Sequence, residues 1–156
     1  MAVLSEEQSM LRDAAKSWVQ EKSPVTAFRK MRDSGAELGY DAQAWNEMAE
    51  MGWAGGIIPE EYGGSNFGYL SLGLILEELG RTLTASPLLA SGLAAASALV
   101  LGGSDAQKSE WLPKIAEGTA GGALAVDEGA HHAPDKNTAE VKGGKLTGKK
   151  TFVLEG

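Results

Sequence analysis

Through most of the chain the apolar residues recur every three or four positions, the spacing that places them on one side of an α-helix, and towards the end the rhythm gives way to the alternation of strands. The strongest helical signal is Leu72, Ile75, Leu76, Leu79 and Leu83, at i, i+3, i+4, i+7 and i+11. It predicts an amphipathic helix with Glu77, Glu78 and Arg81 facing outward. A second stripe, Met10, Leu11, Ala14, Ala15, Trp18 and Val19, predicts a helix over 6–21. Ser5 with Gln8 three positions later is a capping box, in which each side chain satisfies a backbone donor left over at the helix start. Ser23-Pro24 reads as a cap and first-turn proline for a short helix carrying Phe28 and Met31, ended between Gly35 and Gly39. Asp41 caps a third helix through Trp45, Met48 and Met51, and Gly52 stands where a left-handed residue closes it.

Ser86-Pro87 repeats the cap-plus-proline pattern ahead of a segment rich in Leu and Ala on all sides, which predicts a central helix buried around most of its circumference. Gly102-Gly103 stops it. Ser104 with Gln107 forms another capping box for a helix through Trp111, Leu112 and Ile115, which Pro113 should bend or shorten. Between the third and fourth helices, 52–68 is rich in glycine around Ile57-Ile58-Pro59, a structured loop with close backbone approaches. Beyond Gly118 strands are expected over 123–126, 138–142 and 146–154, with Gly143-Gly144 as a hairpin turn. The fold class is therefore mainly α: a bundle of about six helices over 1–118, then a small antiparallel β segment over 119–156. So small a sheet has exposed edges and little to pack on, and it suggests a truncated polypeptide.

Composition narrows the function. The 156 residues suffice for one core and a small appendage, with about 68% of the unfolded surface buried. Lys and Arg number 14 against 21 Asp and Glu, a net charge of -7, so attraction to a phosphate backbone is missing and nucleic acid is not an expected partner. Without cysteine there are no disulfides, thiolate metal sites or Cys nucleophile. The apolar window over 87–101 is broken by Ser91, Gly92 and Ser97 and is too short for a membrane span. No signal peptide is readable in Met1 to Glu7, and a cytoplasmic protein is expected.

Candidate chemistry is sparse. His131 and His132 lie near Asp127, Glu128 and Asp135, but adjacent histidines on an extended segment point apart, so no metal site is expected and a solvated loop is the plainer reading. Acid–base work by Asp127 or Glu128 would need a desolvated pocket. The glycine-rich loop has neither the Walker spacing nor a strand leading into Gly-x-Gly-x-x-Gly, so its glycines are read as structural. Trp18, Trp45, Trp53 and Trp111 lie in separate stripes and are read as core and interface anchors.

Trp53-Ala54-Gly55-Gly56-Ile57-Ile58-Pro59-Glu60-Glu61-Tyr62-Gly63-Gly64 resembles the Gly-aromatic-x-Gly and Pro-Glu-x-Tyr-Gly-Gly signature of the acyl-CoA dehydrogenase family. The likeness continues through Leu76 to Arg81, Gln107-Lys108, Trp111 to Gly118, and Leu124 to Glu128, in order and across essentially the whole chain. It implies the family's amino-terminal helical domain over 1–118 and the opening of its middle β-domain over 119–156, without the third domain. Such proteins oxidise the Cα–Cβ bond of an acyl-CoA thioester. A glutamate, usually in the third domain, takes the α-proton and FAD takes the β-hydrogen as hydride; this stretch alone is then expected to be inactive. The resemblance implies FAD contacts at Val126, Asp127, Phe152 and Leu154, and acyl contacts at Ser86, Leu89, Gly92 and Leu93. It also implies an electron-transfer flavoprotein or similar acceptor and a homo- or hetero-oligomer. The departures are Asp127 where the family commonly has Thr, His131-His132-Ala133 in place of Gly-Ser-Asp, and Phe152-Val153-Leu154 where it has Trp-Ile-Thr. The alternative is a non-catalytic helical subunit paired with an active homologue. Gly92 and Ala94 to Ala96 either admit a neighbouring helix or leave room for an acyl chain.

Overall fold

The computed structural model of the chain describes residues 3–35 and 37–155. Helix α1 spans Glu6–Lys22, α2 Val25–Ser34, α3 Ala42–Glu50 and α4 Tyr69–Arg81. A π-helical stretch, Leu88–Ala95, leads into α5, Ala96–Gly102, and α6 covers Asp105–Ala116. A single hairpin follows, β1 Glu140–Lys142 paired antiparallel with β2 Lys145–Thr147 across the Gly143-Gly144 turn. The mainly α class and its antiparallel appendage are thus as expected.

Local chemistry explains most of the boundaries. Both capping boxes form: Ser5 Oγ accepts from the Gln8 N–H at 3.1 Å, and Ser104 Oγ from the Gln107 N–H at 3.3 Å. Asp41 accepts from the Ala44 N–H at 2.9 Å at the start of α3. Ser23 does not cap α2. It ends α1 instead, its N–H donating to the Val19 carbonyl, and Pro24 starts α2 without a side-chain cap. Helix α6 runs a further turn past Pro113 to Ala116.

The core lies where α1 packs along α4 and where Trp45, Trp53, Ile58, Leu72, Ile75, Leu88, Leu112 and Ile115 converge. Trp18 and Trp53 meet edge to face with ring centres 5.5 Å apart. The 52–68 loop is a wall of this core. Its Gly64 is required: a Cβ there would come within 1.9 Å of the Ile58 carbonyl oxygen. At the exit of α6, the Trp45 indole N–H donates to the Gly118 carbonyl at 2.9 Å, tying the chain's departure to α3.

Several expectations fail for identifiable reasons. Glu78 is buried, not outward, because α1 lies over that face of α4; its carboxylate reaches Arg81 Nε at 3.3 Å. Met10 and Ala14 are exposed, since the side of their helix that meets the core carries Ala15, Trp18 and Val19, with Leu11 packed beside them. The fifth segment is not one evenly buried α-helix. Its π-helical half buries Leu88, Ala90, Ser91 and Gly92, while Leu89 and Leu101 are exposed. Trp111 is 42% exposed beneath the Lys114 ammonium, 4.6 Å from its ring centre, and is not a core anchor. Residues 123–126 carry no ladder among the described residues, and the pairing over 138–154 shrinks to β1 and β2. A strand needs a neighbour within reach, and among the described residues the only backbone-to-backbone tie to the 123–128 stretch is the Thr151 N–H donating to the Asp127 carbonyl at 2.7 Å.

Candidate functional site

The residues singled out by sequence collect on two sides of the border between the helical body and the trailing segment. On the helical side, Ser86 lies on the wall of a cleft of about 610 Å³ together with Tyr40 and Pro87. The facing wall comes from the trailing segment: Gly121, Gly122, Ala123 and Glu155. A hydroxyl hinge holds the two walls in register, since the wholly buried Ser91 accepts from the Gly122 N–H at 3.1 Å. Partial burial pushes the Glu155 carboxyl up from the ordinary carboxylate range.

The other proposed acyl contacts are not on those walls. Leu89 is exposed and Leu93 packs against the core. Gly92 is fully used for packing: a Cβ there would lie 2.9 Å from Leu88 Cδ1 and 3.1 Å from the Ala54 carbonyl oxygen. Of the two roles open to that small residue, close approach of the π-helical stretch to the 52–68 loop is the one seen.

Beyond the cleft, the strip around Val126 and Asp127 is fixed by a polar knot. Both Glu128 carboxylate oxygens are engaged, one by the Thr138 N–H at 2.6 Å and the Thr138 hydroxyl, the other by the Ala139 N–H at 2.9 Å and Lys150 Nζ at 2.9 Å. These bonds, that from the Thr138 hydroxyl foremost, hold Glu128 down to about 2. Lys150 also donates to the Val126 carbonyl at 3.0 Å and to the Asn137 side chain. Asp127 turns back into its own loop. Its carboxylate pairs with His132 Nδ1 at 3.0 Å and accepts from the Ala133 N–H at 2.9 Å, which lowers its pKa, the His132 bond contributing most. Phe152 is 82% exposed at a left-handed φ of 54°, a strained setting for a bulky residue, and Leu154 is also exposed.

His131 is exposed and His132 is committed to Asp127. Among the described residues no group of three or more His, Asp or Glu could hold a metal ion. Lys150, Thr151, Tyr40 and Ser91 were not singled out from the sequence. Lys150 lies three residues past the end of β2, and nothing in the sequence there distinguishes it from Lys149.

The fold is thus a helical body that hands its chain across a cleft to an irregular strip ending in one hairpin. A family model described as acyl-CoA dehydrogenase, N-terminal domain, matches residues 5–119, and the chain belongs to the acyl-CoA dehydrogenase family. It is 34% identical, over 98% of its length, to the mitochondrial isovaleryl-CoA dehydrogenase of Pongo abelii, of which it covers 37%. It is 36% identical, over 74% of its length, to the acyl-CoA dehydrogenase IpdE2 of Mycolicibacterium smegmatis, of which it covers 35%. The chain therefore spans little more than a third of these relatives. Among solved structures, the ChsE4-ChsE5 complex from Mycobacterium tuberculosis superposes with a TM-score of 0.82 at 25% identity, covering 98% of this chain and 42% of that one. No helix among the described residues is long and apolar enough to cross a membrane.

Proposed function

We propose that this chain contributes the helical wall and the flavin-facing strip of an FAD-dependent acyl-CoA dehydrogenase, with 1–118 as the helical domain and 119–156 as the start of the β-domain. The observation that carries the reading is the cleft between Ser86-Pro87 and Gly121 to Ala123, whose trailing wall leads along the chain into Val126-Asp127. FAD fits the residues present. The Asp127 carboxylate is turned into its own loop, where His132 Nδ1 and the Ala133 N–H hydrogen-bond it, so both of its oxygens have a partner within the chain. Phe152 offers an exposed aromatic ring to lie against a flat heterocycle. When bound, FAD supplies the hydride acceptor. Val126, Asp127, Phe152 and Leu154 would hold it, Ser86 would bound the acyl group, and the Ser91–Gly122 bond would keep the two walls aligned. These residues bind and orient; the α-proton is not assigned to any of them. The working partners in this reading are an acyl-CoA, an electron-transfer flavoprotein or similar acceptor, and further subunits, in the cytoplasm.

The test uses the natural full-length polypeptide. It should purify with a flavin absorbance band that bleaches on addition of an acyl-CoA such as butyryl-CoA or decanoyl-CoA. A colourless protein that ignores both would overturn the catalytic reading. Likeness to a structure named as a two-protein complex favours a second reading, a non-catalytic subunit paired with an active homologue. Co-purification of a flavin-loaded partner with a colourless copy of this protein would establish that one instead.

A further inference from the structure

The cleft of about 610 Å³ beside Ser86 is charged on one wall only. Leu38, Ala85, Pro87 and Ala123 line it together with three glycines, and Tyr40 and Ser86 add hydroxyls. Its single ionic side chain is Glu155, from the trailing segment; no lysine, arginine or histidine is among the lining residues. The adjoining cleft along α2, which shares Leu38, Tyr40 and Ala85, brings Lys22 and Lys30 but sets Glu37, Asp41 and Glu47 beside them, so it adds no net positive charge. Pro87, at the start of the π-helical stretch, has no N–H with which to hold an anion, and the Gly122 N–H is already taken by Ser91.

Glu155 also differs from the two carboxylates of the polar knot. Asp127 is bound by His132 and Ala133, and Glu128 by Thr138, Ala139 and Lys150. Among the described residues the Glu155 carboxylate has no hydrogen bond or ion pair. Its charge faces the opening unanswered, and partial burial already disfavours that charge. A ligand group that enters the cleft displaces the water screening the carboxylate, so a second negative charge there meets repulsion in place of screening. A neutral group of the same shape meets none. Specificity built this way turns a competitor away without gripping the favoured ligand more tightly.

Resting on the acyl-CoA reading above, we propose that Glu155 is a specificity-determining residue of the cleft, which takes acyl groups that end without negative charge and turns away those that carry a terminal carboxylate.

Isothermal titration of the natural full-length protein at pH 7.5, with no electron acceptor present, tests this with hexanoyl-CoA, glutaryl-CoA and the amide of glutaryl-CoA, which keeps the shape of the diacid thioester and loses its charge. Glutaryl-CoA should bind about tenfold more weakly than its amide, the weight of one partly screened like-charge pair. Glu155→Gln should bring that ratio to about one, and Glu155→Lys should reverse it, glutaryl-CoA then binding more tightly than the amide. Hexanoyl-CoA should keep its affinity within about threefold throughout, since no charge of its own meets the side chain. Equal affinity for glutaryl-CoA and its amide in the unaltered protein, a ratio that survives Glu155→Gln, or no reversal in Glu155→Lys overturns the inference and leaves the acyl-CoA reading standing. Failure of all three thioesters to bind the unaltered protein overturns that reading itself.

Discussion

The helical body and the trailing segment are held together by opposite means. In the body, Trp53, Met48, Ile58, Leu72, Ile75, Leu88 and Leu112 are essentially sealed from water, and the hydrogen bonds that matter are caps at helix ends. In the segment after Gly118, no described residue is buried to that degree; the hairpin strands are exposed at every position, and order comes from polar bonds centred on Glu128, Lys150 and Asp127. Apolar burial is cooperative and insensitive to pH, whereas a polar knot is local and titrates. One chain thus carries a wall that behaves as a folded domain and a strip that behaves as a stapled loop.

Removing the centre of the body should have the largest effect. Trp53→Ala deletes a ring that is 1% exposed and packed edge to face with Trp18, and should cost about 3–5 kcal/mol, read as a large drop in the helical melting midpoint by circular dichroism. A shift no greater than that of a surface variant would mean the core does not close around that ring. Ser104→Ala removes the capping box of α6 and should cost about 1 kcal/mol in the same melt, with no change in the hairpin. Glu128→Gln should do the converse. The amides of Thr138 and Ala139, and with them β1 and β2, should exchange faster with solvent while the helical melt stays where it was. If both regions loosen together, the division drawn here between them is wrong.

Acid should mimic that last variant. Because the folded-state pKa of Glu128 is depressed to about 2, its contribution is complete above its ordinary value of 4.5 and is lost as pH falls towards 2; Asp127, lowered in the same direction, adds to the effect. Amide exchange or NMR shifts followed from pH 6 to 2 should therefore show the strip releasing first, with helical ellipticity following only at lower pH or not at all. The window is about pH 5 to 2. Simultaneous loss of both signals would contradict the comparison.

The two regions also differ in how much of them a reader of the sequence can see. Capping boxes and the Leu72 to Leu79 stripe are short-range patterns, and the helices they announce form as announced. Glu78 escapes such a reading because it looks like its neighbour Glu77; only the placement of α1 decides which carboxylate is covered. The π-helical register of Leu88–Ala95 is invisible for another reason: a run of Leu, Ala, Ser and Gly has no polar face against which a slipped turn would register. The candidate site is less legible still. Its closest contacts span large separations, Ser91 to Gly122 and Lys150 to Glu128, and neither end of either pair belongs to a spacing motif. The acyl assignments came from resemblance, and the geometry keeps Ser86 on a cleft wall while giving Gly92 a packing role.

The indole bond from Trp45 to the Gly118 carbonyl bridges 73 positions of sequence. It and the Ser91–Gly122 bond anchor the exit from the helical body, so any swing of the strip must pivot beyond those ties, at Gly122 or later. An emission change from that tryptophan would then report the loss of its anchor rather than the moving arm.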